Sequence, residues 1–172
     1  MIRRAIPADI PALHALVEAA FRGDSARAGW THEADLLGGQ RTDPDMLAAM
    51  LADPRCALLL AEEGGVFLGC VAVTRVAARR SALGMLAVRP DRQAGGLGRA
   101  LVAAAEDHAW DEGAGAMEMT VIGQRGDLIA WYERRGYRRT GERRAFPLDD
   151  ARFGLPYTRT LYFEVLERSL GE

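Results

Sequence analysis

The chain carries apolar residues in two rhythms, short continuous runs and helical spacings, and their order predicts the layout. Arg55 to Glu62 and Val66 to Val76 are nearly unbroken apolar runs divided by Gly64-Gly65, which reads as two buried strands joined by a hairpin. Ahead of them, a short strand over Ile2 to Ala5 leads into a helix with Pro7 near its first position and Asp9 in its first turn. Leu13, Leu16, Val17 and Ala20 share one face of that helix. A second helix is expected from Pro44 to Leu51, capped by Thr42 or Asp43. A strand over Ala82 to Val88 then meets a glycine-rich turn and a helix from about Leu97 to Trp110. A strand at Met117 to Ile122, a helix from Asp127 that Gly136 stops, and strands at Tyr137 to Phe146 and Arg159 to Leu166 complete the order. Antiparallel strands followed by a βαβ unit predict an α/β protein with one mixed sheet and about four helices.

Composition narrows the class. A chain of 172 residues, 49% apolar, can bury one substantial core, and no linker or repeat divides it, so residues 1–172 are expected to form a single domain. The net charge of −2 leaves no broad electrostatic footprint for nucleic acid or a membrane surface. Neither a long apolar run nor a signal core is apparent, and the expected compartment is the cytoplasm. Cys56 and Cys70 lie on the two hairpin strands. With Glu63 opposite Val66, Cys56 faces Val73 and Cys70 faces Leu59. The thiols then sit roughly 10 Å apart on opposite sheet faces, too far for a disulfide.

The turn holds the first chemistry. In Gln93-Ala-Gly-Gly-Leu-Gly-Arg99, Gly95, Gly96 and Gly98 remove Cβ atoms that would keep a ligand from the main-chain amides, and the free N–H groups of the next helix point back at the same place. Such a turn suits a pyrophosphate. A phosphoryl-transfer loop needs Gly-Lys-Ser/Thr, but Gly98 is followed by Arg99 and Ala100, so γ-phosphate and magnesium have no ligands. A dinucleotide fingerprint needs a third glycine where Leu101 stands. A coenzyme A cradle remains.

Gln93-x-x-Gly96-x-Gly98 resembles the pyrophosphate loop of the GNAT superfamily of acyl-CoA-dependent N-acetyltransferases. A second segment, Asp127 to Gly141, resembles that family's other signature, a helix with a tyrosine four residues before Gly-Tyr, here Tyr132 before Gly136-Tyr137. Members often carry Asn and Ala where this chain has Arg125 and Leu128. The likeness spans about residues 1 to 147. It implies the GNAT fold, a single mostly antiparallel sheet whose central parallel strands splay apart to admit the pantetheine arm, with acetyl-CoA as co-substrate and no metal. It assigns coenzyme contacts to the strand end Leu86, Ala87 and Val88, the turn Gln93, Ala94, Gly95 and Gly96, and the helix start Leu97, Gly98 and Arg99. Arg92 is a further candidate for the phosphates, because guanidinium pairs with them bidentately. Tyr132 takes the role of general acid toward the departing thiolate, and a main-chain N–H near Leu86 polarises the acetyl carbonyl.

The base and the acceptor are less determined. Glu33, in the loop between the first two helices, is the first candidate base, followed by Glu118 and Asp35, with His32 or water as further choices. An α-amine needs no dedicated base, since its pKa is near 8. Trp30, Trp131, Phe153 and Tyr157 are candidate pocket walls, with Glu33 and Asp35 to attract a cationic amine. The expected acceptor is the primary amine of a small molecule or amino acid. A protein-directed acetyltransferase and a non-catalytic acyl-CoA-binding domain are the alternatives. The tail from Phe146 to Pro156 suggests a loop over the cleft, and the last strand pairs either within the sheet or at a homodimer interface.

Overall fold

The computed structural model describes residues 1–171. In chain order, β1 (Ile2–Arg4) and a 3-10 turn precede α1 (Ile10–Phe21), α2 (Gly23–Arg27), β2 (Leu37–Gly38) and α3 (Pro44–Ala52). The hairpin strands β3 (Cys56–Glu63) and β4 (Val66–Ala77) follow, then β5 (Arg80–Val88), α4 (Leu97–Asp111) and β6 (Ala116–Ile122). The chain continues through α5 (Gly126–Glu133), β7 (Arg138–Ala145), β8 (Leu155–Pro156) and β9 (Tyr162–Ser169). The expected elements are all present. Two short features add to them: α2, a helix of 5 residues with no apolar stripe to announce it, and a two-residue β2–β8 ladder that forms a second, minor sheet. Pro7 starts the 3-10 turn rather than α1, and Asp43 caps α3 by accepting from the Met46 N–H at 2.8 Å.

Seven strands make the main sheet, in the order β1-β3-β4-β5-β6-β9-β7. Only β5 and β6 run parallel, and they pair through just three positions, Arg80 with Ala116, Ser81 with Met117 and Ala82 with Glu118. Beyond Ala82 the two strands part, leaving the gap that the fold class requires. The last strand, β9, pairs with β6 and β7 inside the sheet, which decides between the two placements expected for it.

Both faces of the central strands are covered, which is why β3 reads as a continuous apolar run. Leu59, Ala61, Val71 and Val73 pack with α4 and α5 residues such as Leu101 and Ile129. Leu58, Leu60, Cys70 and Ala72 pack with α1 residues such as Leu13 and Val17. Each fully buried leucine contributes roughly 1.5–3 kcal/mol. On β5, Leu83 joins the first cluster and Met85 the second, although residues two apart should share a face. The cause is a bulge opposite Val71, where Met85 takes φ 48°.

A second bulge, between Ala61 and Glu62, corrects the expected hairpin register. Cys56 lies opposite Thr74 and Cys70 opposite Leu60. The two thiols therefore share the α1 face instead of lying on opposite ones, and both are free and buried.

Candidate active site

A cavity of about 760 Å³ opens where β5 and β6 part. The glycine turn forms one end. Ala94 and Gly96 both adopt positive φ, 66° and 86°, which folds the chain back tightly enough to aim the start of α4 at the cavity. Gly96 precedes the helix and no side chain caps it, so the first N–H groups remain for a ligand. Gly98 faces the Trp131 ring across a space in which a Cβ would already be in contact at 3.6 Å.

The structure sorts the expected coenzyme residues. Leu86, Ala87, Val88, Gln93, Ala94, Gly95, Gly96, Gly98 and Arg99 all line the cavity. Leu97 does not; its side chain packs toward the core and only its main chain belongs to the turn. Arg92 is also off the wall, and Arg89 is paired with Asp91 at 2.8 Å. Arg135, unlike Arg92, lines the cavity. It stacks on Trp131 with its guanidinium 3.4 Å from the ring centroid, and among the described residues it has no carboxylate partner and its Nε is buried without a hydrogen bond. Burial, with Arg134 and Arg99 nearby, lowers its pKa. An anion is what that corner lacks. Glycine amides, an uncapped helix start and two uncompensated guanidiniums fit a pyrophosphate and its neighbouring phosphate.

Tyr132 stands in the middle of the wall. It is 4% exposed, sits edge-on to Trp131 with ring centroids 5.0 Å apart, and is backed by Tyr137 at 5.8 Å. Among the described residues its hydroxyl has no hydrogen-bond partner, whereas the Tyr137 hydroxyl donates to Glu106 at 2.8 Å. Burial raises the Tyr132 pKa well above the usual phenol value, and Arg125 and Arg135 only partly offset this.

The candidate bases fare differently. Glu33 is buried on the cavity wall, so it is not a solvated loop residue, and each of its oxygens meets a guanidinium. Oε1 accepts from Arg22 and Oε2 faces Arg125 Nη1 at 3.4 Å. This committed carboxylate joins the end of α1 to the start of α5. Asp35 is exposed and paired with Arg27 at 2.8 Å, and Glu118 pairs with Arg80 and Arg144, both at 3.5 Å. Neither lines the cavity, and nor does His32, whose Nδ1 accepts from the Ala34 N–H. The two carboxylates expected to attract a cationic amine are thus both paired with arginines, Glu33 on the cavity wall and Asp35 off it.

Trp30 lines the cavity, as do Trp131 and Phe153, while Tyr157 is exposed outside it. The tail closes over the cleft as expected. The Phe153 carbonyl accepts from Arg22 Nη2 at 3.2 Å, and the β2–β8 ladder pins the loop down.

A sheet parted beside a glycine turn that opens an uncapped helix is the arrangement expected of an acyl-CoA-dependent transferase fold. The Acetyltransferase (GNAT) family model matches residues 13–137, and the chain belongs to that family. Its fold is that of solved acetyltransferases. The ribosomal-protein-S18-alanine N-acetyltransferase of Escherichia coli superposes with a TM-score of 0.72 at 17% identity, covering 100% of this chain and 94% of that one. The ribosomal-protein-alanine N-acetyltransferase of Brucella melitensis gives 0.73 at 20%, with 99% of each chain covered. The Salmonella typhimurium protein yncA, solved with its cofactor acetyl-CoA, gives 0.71 at 21%, covering 100% and 94%. No curated protein matches the sequence. The protein is thus an acetyl-CoA-dependent GNAT acetyltransferase. Among the described residues no group of His, Cys, Asp and Glu could hold a metal ion, and no helix is long and apolar enough to cross a membrane.

Proposed function

We propose that the chain moves an acetyl group from acetyl-CoA to the primary amine of a small molecule or amino acid, with Tyr132 as general acid. The observation that carries this reading is the buried, unpartnered Tyr132 hydroxyl on the same wall as the open glycine turn. Bound acetyl-CoA supplies an electrophilic thioester, whose carbonyl carbon the amine attacks, forming C–N as C–S breaks. The Tyr132 hydroxyl donates its proton to the departing sulfur; a phenol is protonated at neutral pH and is free to donate only if nothing else holds it. A main-chain N–H of β5 near Leu86, on the edge left unpaired beyond Ala82, stabilises charge developing on the acetyl oxygen. Gly96, Gly98, Arg99 and Arg135 hold the phosphates. Trp30 lies against the acceptor, and the tail roof around Phe153 favours a small acceptor over an open peptide groove.

Glu33 enters this reading as a positioning residue. Each of its oxygens already faces a guanidinium, and this reading sends the ammonium proton to water instead. The test is release of coenzyme A thiol from acetyl-CoA against polyamines, amino acids, aminoglycosides and short peptides. Acceptor-dependent release from the wild type is expected, and Tyr132→Phe should lower turnover by roughly 10- to 10³-fold with little loss of coenzyme affinity. An unchanged rate in the variant removes Tyr132 from the mechanism. Release with peptides alone would establish the protein-directed alternative.

A further inference from the structure

Five arginines and one carboxylate line the cavity: Arg22, Arg41, Arg99, Arg125, Arg135 and Glu33. They fall into two groups. Arg99 and Arg135 belong to the glycine-turn end and act on each other there. Arg22 and Arg125 pair with Glu33, where the end of α1 and the start of α5 meet, and Arg41 lines the same cavity. Tyr132 shares the cavity wall with both groups.

The second group is short of negative charge. Arg22 and Arg125 are only 6% and 8% exposed, and the Nε of each is buried without a hydrogen-bond partner. Arg41 has no ion-pair partner among the described residues and rests on the Phe21 ring at 4.9 Å. Behind the wall, Glu18 accepts from the main-chain N–H groups of Arg41 and Thr42 at 2.8 and 2.9 Å. Even with Glu18 counted, three cations face two anions. A guanidinium cannot shed its proton at neutral pH, so the imbalance persists until a ligand relieves it.

We infer that the acceptor carries an anionic oxyacid group, a carboxylate or a phosphonate, beside its amine, and that Arg41 receives it. The inference rests on the transferase reading and specifies its substrate class. The coenzyme's phosphates are met at the glycine turn, so the second group is left for the acceptor. Polyamines and aminoglycosides, which bring only positive charge, are selected against at that end.

Matched acceptors test this. Thiol release is compared for amino acids, their α-carboxamides, aminoalkylphosphonates and polyamines, in wild type, Arg41→Gln and Arg41→Lys. The acids should exceed their amides in kcat/KM by roughly 10- to 100-fold, the worth of one charge-assisted pair. Arg41→Gln should collapse that ratio toward one, and Arg41→Lys should keep part of it. A carboxylate preference and a phosphonate preference are told apart by which acid series is turned over. Equal use of acids and amides by wild type, or preference for polyamines, overturns the inference. So does a ratio unchanged in Arg41→Gln. A second readout needs no turnover: thermal stabilisation of the coenzyme A-loaded protein by N-acetylated amino acids against their N-acetylated amides. Stabilisation by the acids alone, with no thiol release from any acceptor, would sink the transferase reading and leave the anion site standing. Equal stabilisation by both series counts against the anion site.

Discussion

A phenol acts as an acid only while it holds its proton, and burial ensures that at Tyr132. Its folded pKa is raised above the unfolded value near 10, so its contribution to stability is intact below about pH 10 and lost as pH climbs through the folded value. The stability difference between wild type and Tyr132→Phe, measured by denaturant titration, should stay constant from about pH 7 to 10 and shift against wild type above that. Turnover should show no alkaline fall from Tyr132 in the same range. The cysteines obey the same physics. Burial pushes the Cys70 thiol up to about 12 and raises Cys56 as well, so neither should react with a thiol reagent at pH 8 until the protein is denatured. The position of Tyr132 was legible in the sequence, because its spacing to Gly136-Tyr137 is local. The partners of Glu33 were not, since Arg22 and Arg125 stand 11 and 92 residues away. The shared face of the cysteines was hidden by one bulge residue that no apolar pattern marks.

The glycine turn shows how far an element can be read from its residues. Gly96 sits at φ 86°, and an L side chain there costs about 1–2 kcal/mol. Gly96→Ala should therefore destabilise the protein by about 1 kcal/mol and weaken coenzyme A binding, as followed by melting and titration. Ala94 occupies the same conformation at φ 66° without being glycine. Ala94→Gly should relieve the strain and stabilise by up to about 1 kcal/mol, the gain being reduced by the extra freedom of glycine in the unfolded chain. Strands and long helices were legible because both sheet faces are covered and α4 and α5 each bury a stripe. The short α2 and the β2–β8 ladder were not, because elements of 5 and 2 residues bury too little to leave a periodic trace. Arg135 could have been found from its place one turn beyond Trp131 on the tyrosine segment, a spacing that stacks guanidinium on indole.

At the scale of the whole molecule, a near-neutral composition conceals a sharp division of charge. The chain nets −2, yet its cavity wall is dominated by arginine, and carboxylates elsewhere balance the sum. The sheet ends on β7, exposed along its length and rich in arginine, which discourages pairing with another edge. The inward arginines need a different restraint, and Glu33 supplies it by tying α1, the loop roofed by the tail and α5 into one wall. Replacing one member of a buried ion pair strands its partners, typically at a cost of about 3–5 kcal/mol. Glu33→Gln keeps the shape and loses the charge, so it should lower the melting temperature by roughly 6–20 °C at about 2–4 °C per kcal/mol for a chain of this size. It should leave the acid limb of the kcat/KM profile where the acceptor amine sets it. A carboxylate acting as the general base would lower the melting temperature as well, because the same ion pairs are lost, but would also collapse the acid limb. Measuring both in the same variant therefore decides whether Glu33 only holds the wall or takes the proton as well.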